Sequence, residues 1–151
     1  MIIPKKLKLS HRVLKNVAKP IDDFRYPAQL EQLSKMMHAF MQDHDGMGLA
    51  APQVGISRRI FVMNVHGELY TCINPEAHWA TEDQLYESEE GCLSFPGEWL
   101  KISRPRKILA RYQDIFGTWQ ERELEGMQAV CYQHELDHLN GVTMHDRYDQ
   151  G

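Results

Sequence analysis

The feature that most constrains this chain is the pentapeptide His134-Glu135-Leu136-Asp137-His138. On an α-helix, residues four apart share a face, so both imidazoles can reach one ion. Glu135 lies about 100° further round, where it can touch a water held by the ion without ligating the ion itself. That arrangement suits metal-assisted hydrolysis, in which the ion acidifies water and a carboxylate takes and returns its proton. The motif is suggestive alone and no more, because chance places it in about 3% of chains of this length and composition. The alternative is a pair of surface histidines.

A helix from about Met127 to Asn140, ending at Gly141, would carry the motif. Its face continues backwards through Cys131, Val130 and Met127, an apolar patch beside the imidazoles that reads as core, as pocket wall or as both. A catalytic ion needs a third protein donor and an open fourth position. Cys92 is the best candidate. It sits in Glu90-Gly91-Cys92-Leu93-Ser94, between a glycine and a short polar stretch, which predicts a turn and not a buried strand. Cys131 reads as pocket lining and Cys72 as packing. His11, His38, His44, His66, His78 and His145 have no partner spacing and read as surface or structural residues.

Gly46-Met47-Gly48-Leu49-Ala50-Ala51-Pro52-Gln53 combines glycines, small residues and one amide. A loop of this kind lets another backbone approach closely, and Gln53 could donate to a developing oxyanion. No strand–G-x-G-x-x-G–helix pattern surrounds it, which argues against phosphate binding.

Upstream, Pro27 followed by Leu30, Leu33, Met37, Phe40 and Met41 predicts a helix with one apolar stripe, stopping before Gly46. Between the two helices the chain reads as β, with Arg59–Val65 and short runs at 69–73, 84–86, 100–102 and 107–112. A turn at Asp114–Gly117 leads into Trp119–Leu124. The expected class is α+β: antiparallel sheets packed around a C-terminal metal-binding helix, with an N-terminal helix.

The length fits one domain, residues 1–151, and hydrophobic and charged fractions of 42% and 25% match an ordinary globular protein. A formal charge of −4 gives no sign of nucleic-acid binding, and Lys5, Lys6 and Lys8 form too short a basic group to change that. No apolar run approaches the ~18 residues of a membrane span, and charges interrupt the N-terminus where a secretory signal would be apolar. Three widely spaced cysteines do not form a disulfide framework. The cytoplasm or an equivalent reducing compartment is the expected location.

Two rival readings stay open on these residues. One is a zinc metallopeptidase whose third ligand is a distant His, Asp or Glu. The other is a structural metal or protein-binding module without catalysis.

Taken together, Gly46–Gln53, Glu90–Ser94 and Gln133–Gly141 resemble the peptide deformylase family, whose signatures are G-x-G-L-A-A-x-Q, E-G-C-L-S and Q-H-E-x-D-H-L-x-G in this order. The resemblance covers nearly the whole chain. It implies removal of the N-formyl group from the first methionine of new polypeptides, with Cys92, His134 and His138 on one divalent ion. Fe(II) is the expected native metal, with Zn(II) or Ni(II) as alternatives. Glu135 would be general base and then acid, and the Gln53 amide and Leu93 N–H would hold the oxyanion. Gly48 would contact the peptide backbone, and the methionine side chain would enter a pocket of Met47, Met127, Val130 and Cys131. Arg104 and Asp137 would pair to steady the metal helix, and Glu90 would support the cysteine segment. The implied partner is an N-formyl-methionyl peptide or nascent chain, met by a monomer. Two departures stand out. Many bacterial members carry an arginine near Gly97-Glu98-Trp99, where Trp99 could cover the peptide instead. The chain also runs only 13 residues past His138 (151 − 138), leaving the further C-terminal helix of many bacterial members unexpected here, as in phage-encoded or organellar forms.

Overall fold

The computed structural model describes residues 1–79 and 84–150. Helix α1 (Pro27–Asp43) begins with proline in its first turn, where the missing N–H costs nothing. It buries one stripe: Leu30, Leu33, Ser34, Met37 and Met41. Phe40, expected on that stripe, is only half-buried and stacks on His44 at 4.1 Å.

Strands β1 (Gly48–Ala50), β2 (Ile60–Val65), β3 (Glu68–His78), β6 (Lys107–Gln113) and β7 (Trp119–Glu125) form an antiparallel sheet in the order β1-β2-β3-β6-β7. β4 (Leu85–Cys92) and β5 (Phe95–Pro105) form a separate antiparallel hairpin. The predicted Asp114–Gly117 turn joins β6 to β7. Its Asp114 carboxylate accepts from the N–H groups of Phe116 and Thr118 at 2.9 and 3.0 Å, and Gly117 supplies φ +84°.

β2 shows why two helices flank this sheet. Successive strand side chains point to opposite faces. Ile60 and Val62 join the cluster under α1 with Leu33, Met37 and Met41. Phe61, Met63 and Val65 join the cluster that holds Ala129, Cys131, Tyr132 and Leu139 of α2 (Met127–Leu139). Full burial of each such side chain contributes about 1.5–3 kcal/mol. α2 is therefore sandwiched, and ten of its thirteen residues are buried. It ends as predicted, at Gly141 (φ +73°), where an added Cβ would lie 2.5 Å from the Lys15 carbonyl oxygen.

The α+β class is as expected, and three local expectations are corrected. Residues 48–50 lie in a strand, pairing Gly48 with Met63 and Ala50 with Phe61, although a three-residue glycine-started segment has too little pattern to announce itself. Cys92 is the last residue of β4 and not part of a free turn. β4 exposes Leu85, Glu87 and Glu89 on one face and turns Tyr86, Ser88 and Glu90 inward on the other, and with two of those three inward residues polar no apolar alternation marks the strand. A helix also follows α2: α3 (Met144–Gln150), docked by a Lys15–Asp146 ion pair and a His145–Glu98 hydrogen bond. Among the described residues no helix is long and apolar enough to cross a membrane.

Candidate metal centre

α2 presents His134 and His138 one turn apart, their rings edge to face with centroids 5.0 Å apart. The end of β4 brings Cys92 to them. Its Sγ lies 3.3 Å from His138 Nε2, and one donor atom from each of the three residues falls within 4.8 Å of the others. Among the described residues this is the one cluster of three such donors. A tetrahedral shell with metal–N of about 2.0–2.1 Å and metal–S of about 2.3 Å sets donors roughly 3.4–3.6 Å apart, so the separations suit a shared ion. One sulfur and two imidazoles also match the chemistry of a divalent transition metal. Burial, reinforced by the nearby charges of His134 and Arg104, holds His138 well below the usual imidazole range and so in the neutral form a metal requires. His138 Nδ1 is buried without a hydrogen-bond partner.

The other imidazole is oriented from behind. Glu90, buried near the end of β4, bonds His134 Nδ1 at 2.8 Å. Arg104 of β5 donates to both Glu90 oxygens at 2.6 and 2.9 Å, and through a third N–H to Asp137 at 2.9 Å. Arg147 of α3 donates to the two Asp137 oxygens at 2.9 and 2.7 Å. Burial alone would raise the Glu90 carboxyl, but its bonds with His134 and Arg104 hold it below the ordinary range. Burial likewise opposes protonation of His134, and hydrogen bonds with Cys92 and Glu90 override it and raise that imidazole. Carboxylate–histidine contacts of this kind fix the ring and strengthen it as a ligand.

Glu90, expected to support the cysteine segment, lies in that segment two residues before Cys92, is clasped by Arg104, and in addition bonds His134. Asp137 is buried rather than a surface charge, and its ion pair with Arg104 is present. Arg147 was missed, since nothing in the spacing of residues 137 and 147 marks them as partners.

The cluster opens into a cleft of about 390 Å³. Gln53 and Leu93, Met47 and Gly48, and Met127, Val130 and Cys131 all line it together with Cys92, His134 and Glu135. The Gln53 amide is held at both ends: Oε1 accepts from Ala50 N–H at 2.9 Å, and Nε2 donates to Ser94 Oγ at 3.0 Å and approaches Cys92 Sγ at 3.5 Å. Ser94 is a second missed residue, and its carbonyl is bonded by His11 at 2.9 Å. The Glu135 carboxyl is pushed up to about 7 by burial. Its Oε1 has no partner, and a Cβ on Gly48 would lie 2.5 Å from its Oε2. Glycine at 48 is therefore a matter of room for that carboxylate. Cys131 Sγ lies 3.6 Å from the Met47 carbonyl, tying the pocket floor to the edge of β1.

The metallopeptidase alternative required a distant His, Asp or Glu as third donor, and among the described residues the donor grouped with the two imidazoles is Cys92. The family model for polypeptide deformylase matches residues 4–151. The chain belongs to the peptide deformylase family. A peptide deformylase of Thermotoga neapolitana is 46% identical over 135 residues, covering 89% of this chain and 80% of that protein. The crystal structure of peptide deformylase from Thermotoga maritima superposes with a TM-score of 0.88 at 41% identity, covering 95% of this chain and 98% of that one. A Met-Ala-Ser-bound class I type b peptide deformylase from Acinetobacter baumannii gives 0.88 at 31% identity, covering 94% and 98%. Peptide deformylases are hydrolases acting on N-formylmethionyl peptides, and this chain is an enzyme of that family.

Proposed function

We propose that this chain, acting as one catalytic domain over residues 1–151, removes the N-formyl group from the N-terminal methionine of newly synthesised polypeptides and releases formate. Cys92, His134 and His138 would hold one divalent ion, natively Fe(II), with Zn(II) or Ni(II) as substitutes. The observation that carries this reading is the convergence of those three donors beside Glu135 in a cleft. When bound, the ion supplies Lewis acidity, which polarises a carbonyl and lowers the pKa of water.

The protein's own groups account for the rest. Glu135 takes a proton from water as the water oxygen bonds to the formyl carbon. The amide of Gln53, pinned by Ala50 and Ser94, and the N–H of Leu93 receive the negative charge that develops on the formyl oxygen. Glu135 then delivers its proton to the methionine nitrogen, the C–N bond breaks, and formate and a free amine leave. Gly48, at the outer edge of the sheet, offers its backbone to an extended peptide. Met47, Met127, Val130 and Cys131 make the methionine pocket. Arg104, Asp137 and Glu90 hold the imidazoles in place. We place the enzyme in the cytoplasm as a monomer whose partner is the formylated nascent chain, with no role for nucleic acid or membrane.

The test is formate release from formyl-Met-Ala-Ser by protein purified without oxygen, with bound metal measured alongside. One equivalent of metal with stoichiometric formate is expected, along with loss of both metal and activity in Cys92→Ser. A metal-loaded protein that leaves the formyl peptide intact would sink the proposal. Rapid loss of activity in air would mark Fe(II), whereas an air-stable enzyme would point to Zn(II) or Ni(II).

A further inference from the structure

Four glycines line the cleft: Gly46, Gly48, Gly91 and Gly97. Gly97 has φ +81° and open space beside it, so it serves the turn. The other three lie outside the left-handed region, and each instead leaves room for a particular side chain. A Cβ on Gly46 would meet Leu93 Cδ1 at 2.8 Å, and one on Gly48 would meet Glu135 Oε2 at 2.5 Å. A Cβ on Gly91 would meet Trp99 Cζ3, Cη2 and Cε3 at 2.8, 2.9 and 3.1 Å. Leu93 and Glu135 already have parts in the proposed chemistry. Trp99 has none.

Its position is built by the hairpin. Glu90 pairs with Leu100 and Cys92 with Phe95, so β5 uses three more residues than β4 across this interval, (100 − 95) − (92 − 90) = 3. The surplus folds back and lays the indole against Gly91, one residue from Cys92. α3 holds the surplus from outside: His145 bonds Glu98 at 2.9 Å and meets the Phe95 ring edge to face at 4.5 Å. Although its neighbours Glu98 and Phe95 are anchored, Trp99 is 67% exposed. An apolar ring fixed at the cleft and left in water is arranged to be covered by what binds there.

We propose that Trp99 is a specificity-determining wall, contacting the residue after formyl-methionine and favouring a large apolar or aromatic side chain there. This rests on the deformylase reading. The methionine-pocket residues come from α2 and from Met47 just before β1, whereas Trp99 comes from β5. In an extended peptide successive side chains point to opposite sides, so the second residue faces the indole.

The test compares formyl-Met amide, formyl-Met-Ala-Ser and formyl-Met-Phe-Ser. In Trp99→Ala, KM for the phenylalanine peptide should rise about three- to tenfold, the size of an aromatic contact, with kcat unchanged. KM for formyl-Met amide should shift by less than about twofold, and Trp99→Phe should restore most of the loss. Gly91→Ala, which displaces the indole, should reproduce this pattern and add nothing in the Trp99→Ala background. Equal losses on all three substrates, no loss on any, or an additive double variant would overturn the proposal. Wild-type protein that releases formate from none of the three overturns the deformylase reading, and this proposal with it.

Discussion

α1 and α2 flank the same strand from opposite faces, and each brings two histidines to it, His38 within α1 and His44 at its C-terminal cap against His134 and His138 within α2, yet they are built in opposite ways. α1 is amphipathic and meets the sheet through a stripe that is apolar except for Ser34, while His44 lies exposed and His38 half-buried against Thr71 at 3.2 Å. α2 is buried on nearly every side although it carries Gln133, His134, Glu135, Asp137 and His138. Burying polar groups is costly unless each finds a partner. The partners come from β4, β5 and α3, and the exceptions, Glu135 Oε1 and His138 Nδ1, sit in the candidate centre. The difference teaches that a histidine pair becomes a site through what other elements bring to it.

Four expected outcomes sharpen that contrast. Glu135→Gln should lower kcat by about 10²–10⁴, the range for losing a general acid–base group, with metal content unchanged on elemental analysis. Indifferent turnover would remove Glu135 from the chemistry. Arg104→Met leaves Glu90 and Asp137 as buried carboxylates short of a partner, and urea unfolding should show a loss of about 3–5 kcal/mol. A neutral result would mean that solvent reaches the network.

On the α1 side, Met37→Ala opens a cavity in a fully buried apolar site and should cost about 2–5 kcal/mol by the same assay. Its kcat should not move, in contrast to changes on α2. The smallest effect concerns His38, whose imidazole burial holds below its usual 6.5. As pH falls through 6.5 the unfolded chain takes up a proton that the folded chain resists, so stability declines until the folded value is passed. His38→Gln should flatten this acid slope in pH-dependent melting, and an unchanged slope would show that the folded imidazole titrates normally.

Much of the fold was legible beforehand. The α1 stripe, the Asp114–Gly117 hairpin and the α2 limits follow from periods and turn chemistry that act over a few residues. β1 and the full lengths of β4 and β5 were not, because β1 is a short glycine-started strand and inward positions of the hairpin such as Ser88, Glu90 and Arg104 are polar, which leaves no apolar alternation along its length. At the site, Cys92 was legible as a candidate and Arg147 was not.

By itself the sequence determined that His134 and His138 share a helical face with Glu135 beside it, since helical spacing is local geometry. It also supplied three segments in family order. Only the tertiary structure decided that Glu90 would bond His134 across 44 residues, that Arg147 would complete Asp137, and that three cleft glycines would make room for Leu93, Glu135 and Trp99. These are pairings between distant parts of the chain, set by strand register and helix docking, and no local period encodes them.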